Sequence, residues 1–223
     1  MGLPRIASYR LPTPDEYAGG RVAWPLDPRR AVVLVHDMQR HFIDAYAEPD
    51  QTIAEVVSTI ARVLGHAREQ GVPVVYTAQP PGQAPADRGL LTDFWGAGLQ
   101  DEAGARIVAG LSPQPGDVIL TKWRYNAFIR TPLRELLAES GRDQLVVTGV
   151  YAHIGCLLTA ADAFMNDVQP FLVADAVADF SREDHLAALR YAASRCARVL
   201  AADDVIAELS HAELSHVARE AVR

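Results

Sequence analysis

The stretch AVVLVHD, Ala31 to Asp37, decides the fold. Five apolar residues in succession leave no polar face. A strand with that pattern must be covered on both sides, as in a parallel sheet sandwiched between helices. Downstream, Ile53, Val56, Val57, Ile60, Val63 and Leu64 recur at helical spacing and predict an amphipathic helix closed by Gly71. VPVVYTAQ, Val72 to Gln79, then reads as a second strand.

The alternation continues to the end of the chain. DVILTKW, Asp117 to Trp123, predicts a third strand, and Thr131 with Pro132 suits the N-cap and first residue of a helix stopped by Gly141. QLVVTGVY, Gln144 to Tyr151, predicts a fourth strand leading into a helix from Cys156 to about Asp167. PFLVADAVA, Pro170 to Ala178, supplies a fifth, and Ser181 with Asp184 resembles an N-cap pair for a helix reaching about Arg198. RVLAADDVIAEL gives a sixth strand and a terminal helix. Strands alternating with helices predict an open parallel α/β sheet with right-handed crossovers, in which ligands bind beyond the carboxyl ends of the strands.

Composition bounds the function. The 223 residues, 49% hydrophobic and 22% charged, fit one globular domain. A formal net charge of -7 argues against a nucleic-acid partner, which needs a basic surface to neutralise phosphates. Cys156 and Cys196 give no disulfide framework, and MGLPRIASYRLPTPDEY has neither a basic n-region nor an apolar h-region. No apolar run reaches the roughly 18 residues of a membrane span. A reducing, cytoplasmic setting is the expectation.

Three strand ends carry chemistry-bearing residues. Asp37 closes the first strand, Lys122 the third, and the turn after the fourth brings Tyr151, His153, Gly155 and Cys156. Taken singly, Asp37 suits a loop acid, Lys122 a surface residue and Cys156 a small core residue. Their shared placement at strand ends is what points to a site. Burial raises a carboxyl pKa and an adjacent ammonium lowers it, so an Asp beside a Lys there sets an acid or base.

Several blocks carry a family resemblance: HDMQRHF at His36 to Phe42, YTAQP at Tyr76 to Pro80, DFWGAGL at Asp93 to Leu99, TKWRYNAF at Thr121 to Phe128, GVYAHIGC at Gly149 to Cys156 and PFLVADAVADFSREDH at Pro170 to His185. From about Pro4 to Glu208 the chain resembles the isochorismatase branch of the cysteine-hydrolase superfamily. The resemblance implies a single α/β domain, an open six-stranded parallel sheet with helices on both faces. It places the hydrolase domain at residues 1–208 and a helical tail at 209–223, with no carrier domain.

Amidohydrolase branches of that superfamily use Asp, Lys and a nucleophilic Cys in a pattern resembling G-[LV]-x-T-D-x-C. Counting six residues from Gly149 arrives at Gly155, one before Cys156, and one helical position is about 100 degrees of rotation. The nucleophile position therefore reads as vacant, with Cys156 a packing residue. That suits hydrolysis of an enolpyruvyl ether, in which an acid protonates the terminal methylene carbon and water captures the resulting oxocarbenium ion.

The resemblance implies catalytic roles for three residues. Asp37 is the acid, with its pKa raised by burial; Lys122 orients it and holds a substrate oxygen. Gly155 leaves room for the enolpyruvyl group and a water, beside backbone N–H donors of the turn. It also implies Gln79, Arg88 and Tyr151 as substrate contacts and Phe42 and Trp95 as pocket walls, with Arg88 on a Pro/Gly-rich segment, PPGQAPADRG, that reads as a mobile flap.

No histidine lies between His66 and His153, so the aspartate-and-histidine metal site of some amidohydrolase relatives is not expected; His36 and His153 read as structural, and neither metal nor cofactor is predicted. The expected partner is a small-molecule substrate, isochorismate or 2-amino-2-deoxyisochorismate, in a homodimeric enzyme without nucleic acid or membrane. GVYAHIGC and FSREDH are similar to the siderophore-type enzymes, HDMQRHF to the phenazine type. Two alternatives stand beside this: a nicotinamidase-type amidohydrolase using Cys156, and a non-catalytic binding protein.

Overall fold

In a computed structural model, residues 3–47 and 51–210 are described. Six parallel strands form one sheet: β1 Ala31–His36, β2 Val74–Ala78, β3 Val118–Thr121, β4 Gln144–Val150, β5 Gln169–Ala178 and β6 Arg198–Leu200. Their spatial order is β3-β2-β1-β4-β5-β6. All six residues of β1 and all seven of β4 are buried, β1 as its apolar run predicts and β4 with the polar Gln144 and Thr148 enclosed as well. β3 lies at the sheet edge and leaves Ile119 half exposed.

Four longer helices cover the sheet: α1 Gln51–Glu69, α2 Leu133–Glu139, α3 Leu157–Met165 and α4 Arg182–Arg195. Alternate residues of β1 feed two cores. Val33 and Val35 pack in the same cluster as Ile53, Val56, Ile60, Val63 and Leu64 of α1. Val32 and Leu34 share the opposite one with residues of α2, α3 and α4. Each such fully buried side chain stabilises the fold by about 1.5–3 kcal/mol.

The helix starts show where local signals succeed. Ser181 accepts the backbone N–H of Asp184 at 3.0 Å and donates to its carboxylate at 2.7 Å, capping α4 as expected. The N-cap of α2 is Pro132 and not Thr131, although the Thr131 hydroxyl still accepts the Leu133 N–H at 3.2 Å. The helix expected from Cys156 is preceded by a π-helical turn, Ala152–Cys156, and α3 proper starts one residue later.

Strand order reverses between β1 and β4. This is the switch point at which an open α/β sheet forms a crevice, and β1 through β5 all deliver residues there. No helix among the described residues is long and apolar enough to cross a membrane. Residues 202–210 are helical; the remainder of the expected tail, 211–223, lies outside the described residues.

Candidate active site

Asp37 follows β1 directly with φ 51, in the left-handed region that few side chains but Asn and Asp tolerate. The turn swings its carboxylate across the ends of the neighbouring strands. Lys122 Nζ, from the residue after β3, lies 2.6 Å from Oδ2; the Thr77 hydroxyl of β2 donates to Oδ1 at 2.7 Å, and Gln79 Nε2 reaches Oδ2 at 3.4 Å. Asp37 and Lys122 are both almost wholly buried. The carboxylate thus has a full set of donors.

The expectation that burial lifts the Asp37 pKa is corrected here. Burial is the largest single influence and does raise it, but the ammonium of Lys122 and the Thr77 hydrogen bond more than offset it. The free site holds Asp37 as a carboxylate, below the usual range.

Gln39, not anticipated from the sequence, is fully buried and ties the end of β2 to Asp37's own turn. Its Oε1 accepts the backbone N–H of Gln79 at 2.8 Å and its Nε2 donates to the Gln79 carbonyl at 2.9 Å, in the manner of an extra strand. That pairing fixes the backbone from which the Gln79 side chain points at Asp37. A polar residue two positions past a strand-end acid was the available signal.

The turn after β4 corrects the view of Gly155. The Val150–Tyr151 peptide is cis, and the π-helical turn places Gly155 against the ring of His36. A Cβ on Gly155 would lie 2.1 Å from His36 Cε1 and within 2.8 Å of both ring nitrogens. The side-chain position at 155 is therefore filled by imidazole and does not provide the room expected for substrate. Nor are the turn's donors all free, since His153 N–H donates to Asp179 and those of Ile154 and Cys156 turn back to the Tyr151 carbonyl.

Cys156 points away from this chemistry. It is fully buried in the core shared with α3 and α4, burial pushes its thiol pKa well above the ordinary value, and its Sγ has only the distant Thr148 carbonyl, at 3.9 Å. A thiolate is disfavoured there.

Asp37, Lys122, Gln79, Arg88, Phe42, Trp95, Tyr151 and Gly155 all line one cavity of about 340 Å³. Tyr151 contributes its ring, because its hydroxyl donates to the Phe42 carbonyl at 3.0 Å. Phe180 lies tilted against that ring at 4.2 Å between centroids, and Tyr125 accepts the Trp95 indole N–H at 2.5 Å. Both aromatic residues were missed, although Phe180 follows the carboxyl end of β5, where the strand-end rule directs attention.

Arg88 sits on a short helical turn, Pro85–Arg88, and is nearly buried. Its Nε donates to the Gly96 carbonyl at 2.6 Å, and among the described residues no carboxylate pairs with it. A guanidinium fork therefore faces the cavity with donors to spare. The flap carrying it is clamped: Arg124 donates to the Asp87 carbonyl at 2.7 Å and Arg130 to the Asp87 carboxylate at 3.0 Å.

Beside the cavity, the buried carboxylate of Asp179 holds His153 through its ring Nδ1 and its backbone N–H, both at 2.6 Å, and raises the His153 pKa. His153 thus braces the turn. Among the described residues, no group of three or more His, Cys, Asp and Glu is placed to hold a metal ion.

Comparison with known proteins sets this geometry in context. The profile of the isochorismatase domain matches residues 31–204. Phenazine biosynthesis protein PhzD of Pseudomonas fluorescens is 52% identical over 206 residues, covering 92% of this chain and 99% of that protein. Isochorismatase of Bacillus subtilis (strain 168) is 48% identical over 213 residues, covering 95% of this chain and 68% of that one. Among solved structures, a cysteine hydrolase from Pseudomonas syringae pv. phaseolicola 1448A superposes with a TM-score of 0.79 at 25% identity, over 87% of this chain and 99% of the other.

Proposed function

The chain belongs to the isochorismatase family and is a hydrolase of that class, and from that premise we propose that it cleaves the enolpyruvyl ether of isochorismate or 2-amino-2-deoxyisochorismate by proton transfer from Asp37. One observation carries the proposal. The cavity joins a buried Asp–Lys pair to an arginine that has no carboxylate partner among the described residues, and its lining holds no thiol.

The steps follow from the chemistry of a vinyl ether. A carboxylic acid at Asp37 gives its proton to the terminal methylene carbon, leaving an oxocarbenium ion next to the new carboxylate. Water adds to the cation carbon and loses a proton to the site. The hemiketal then collapses to pyruvate and the ring alcohol, so one water is consumed and Asp37 can be reprotonated.

Because Asp37 is a carboxylate in the free site, its acid form must arise on binding. A substrate carboxylate entering this aromatic-walled cavity adds negative charge and competes for Lys122, and both changes raise the Asp37 pKa. Arg88 provides the fork for a second carboxylate. Phe42, Trp95, Tyr151 and Phe180 exclude bulk water and offer ring faces to the developing cation.

The experiment is pyruvate release from purified protein, measured on both substrates side by side. Release from either supports the ether-hydrolase reading, and the ratio of kcat/KM values selects the ring substituent. Release from neither overturns it. We also propose that the enzyme is a homodimer, since Leu158 and Met165, seven residues apart on one stripe of α3, stand 44% and 71% exposed. Light scattering before and after Leu158→Glu tests that.

A further inference from the structure

We propose that His36 is a specificity-determining residue: its imidazole, interlocked with Gly155, fills the nucleophile position and restricts the site to attack by water. The first support is that Gly155 is not required by its backbone. Gly149, by contrast, has φ 108 and would also bring a Cβ within 2.1 Å of the His36 carbonyl oxygen. The φ of Gly155 lies outside the left-handed region, and the three atoms nearest to a Cβ built there all belong to the ring of His36.

The second support is that the ring has nowhere to go. Its Nδ1 lies 2.8 Å from the Val150 carbonyl and its Nε2 3.0 Å from the Tyr125 carbonyl, and the residue is fully buried. At Gly98 a Cβ would meet the far end of the Arg88 side chain, which can swing aside. At Gly155 it meets a buried ring that burial keeps neutral, whose single N–H donates to one of the two flanking carbonyls, Val150 or Tyr125. Asp37 lies beside that ring, its Oδ1 3.9 Å from Nδ1, so a shift of the ring changes the surroundings of the acid.

The third support is what the two carbonyls do. Val150 ends β4 just before Tyr151, and Tyr125 supplies the hydroxyl that receives Trp95. The imidazole thus lies between β1, β4 and the segment after β3, packed against two cavity walls and hydrogen-bonded to one of them, as well as closing position 155. A valine at 36, the residue that already serves β1 at 32, 33 and 35, would free the volume that a side chain at 155 needs.

The restriction to water attack rests on the ether-hydrolase reading; the interlock does not, and the experiment separates them. Purified His36→Val, Gly155→Ala and the double variant are compared by thermal melting and by pyruvate release. The expected result is suppression: Gly155→Ala melts lower than wild type and loses about 100-fold in kcat/KM, as for a displacement of about 1 Å at a reacting site. The double variant melts above the Gly155→Ala single and recovers part of that activity.

Gly155→Cys in the His36→Val background supplies a second readout. The introduced thiol is expected to take up iodoacetamide under conditions that leave wild type, whose two cysteines are buried, unlabelled. Additive effects on melting, a Gly155→Ala single as stable as wild type, an unlabelled thiol, or doubles that fail to fold along with the singles would each overturn the interlock. Should pyruvate release be absent from wild type, melting and labelling still decide it.

Discussion

Lys122→Met leaves the Asp37 carboxylate buried, with Thr77 and Gln79 but no counter-ion. The shape is conserved and the charge is lost. Removing one partner of a buried pair costs about 3–5 kcal/mol while the remaining charge persists. Asp37 can escape that cost by binding a proton, because without Lys122 burial dominates and lifts its pKa above the unfolded value of about 3.9.

The pH dependence follows with a definite sign. In wild type the folded pKa is depressed, so the stabilisation by Asp37 is complete above about pH 5 and is lost as pH falls through the unfolded and then the folded value. In the variant the folded pKa is raised, so stability is lost as pH rises toward it, at up to about 1.4 kcal/mol per pH unit. Urea unfolding of both proteins at pH 5, 6.5 and 8 measures the difference. The deficit of Lys122→Met should widen with pH and then level off. A deficit that stays constant from pH 5 to 8, or one below about 1 kcal/mol at pH 8, refutes the coupled pair.

Four further outcomes are expected. Asp37→Asn, which the left-handed backbone accommodates, should lower kcat for pyruvate release by about 10²–10⁴-fold, the usual worth of a positioned acid, and full activity would remove Asp37 from the reaction. Arg88→Met should raise KM by about 10- to 150-fold, the equivalent of a lost charged hydrogen bond of about 1.5–3 kcal/mol, with a smaller effect on kcat in steady-state assays. Cys156→Ala should leave kcat within about threefold of wild type and lower Tm modestly, as a small core truncation does; loss of turnover in a folded variant would restore the thiol mechanism. A saturated lactyl-ether analogue should take up about one proton on binding near pH 7.5, read by calorimetry in buffers of different ionisation enthalpy, because the free site holds Asp37 ionised; uptake of none would mean that the acid form is supplied some other way.

Much of this was legible in the chain because it depends on period and position. An unbroken apolar run located β1, the rule that ligands sit beyond strand ends selected Asp37, Lys122 and Tyr151 together, and the family resemblance added Gln79. Counting from Gly149 separates Gly155, which lines the cavity, from Cys156, which packs in the core, since register along a turn is a local quantity. What could not be read depends on contacts between distant segments. That Lys122 belongs beside Asp37 was legible, but that its ammonium and the neighbouring donors outweigh burial was not, and the amide of Gln39 finds Gln79 only when β1 and β2 lie side by side. The room attributed to Gly155 was an inference from its missing side chain, and only the folded chain reveals that His36 takes that room.

The ties that build this cavity span long stretches of chain: 114 residues between His36 and Val150, 109 between Tyr151 and Phe42, 89 between His36 and Tyr125. Closing loops of that length must precede any reward from the contacts they make, so such pairings form slowly and late. An early compact species with β1, α1 and β2 in place would own Asp37 and Gln39 but neither Lys122 nor the turn after β4. Recovery of turnover after dilution from denaturant therefore times the docking of β1 through β5, and a nascent chain is expected to remain inert until β5 has emerged and docked.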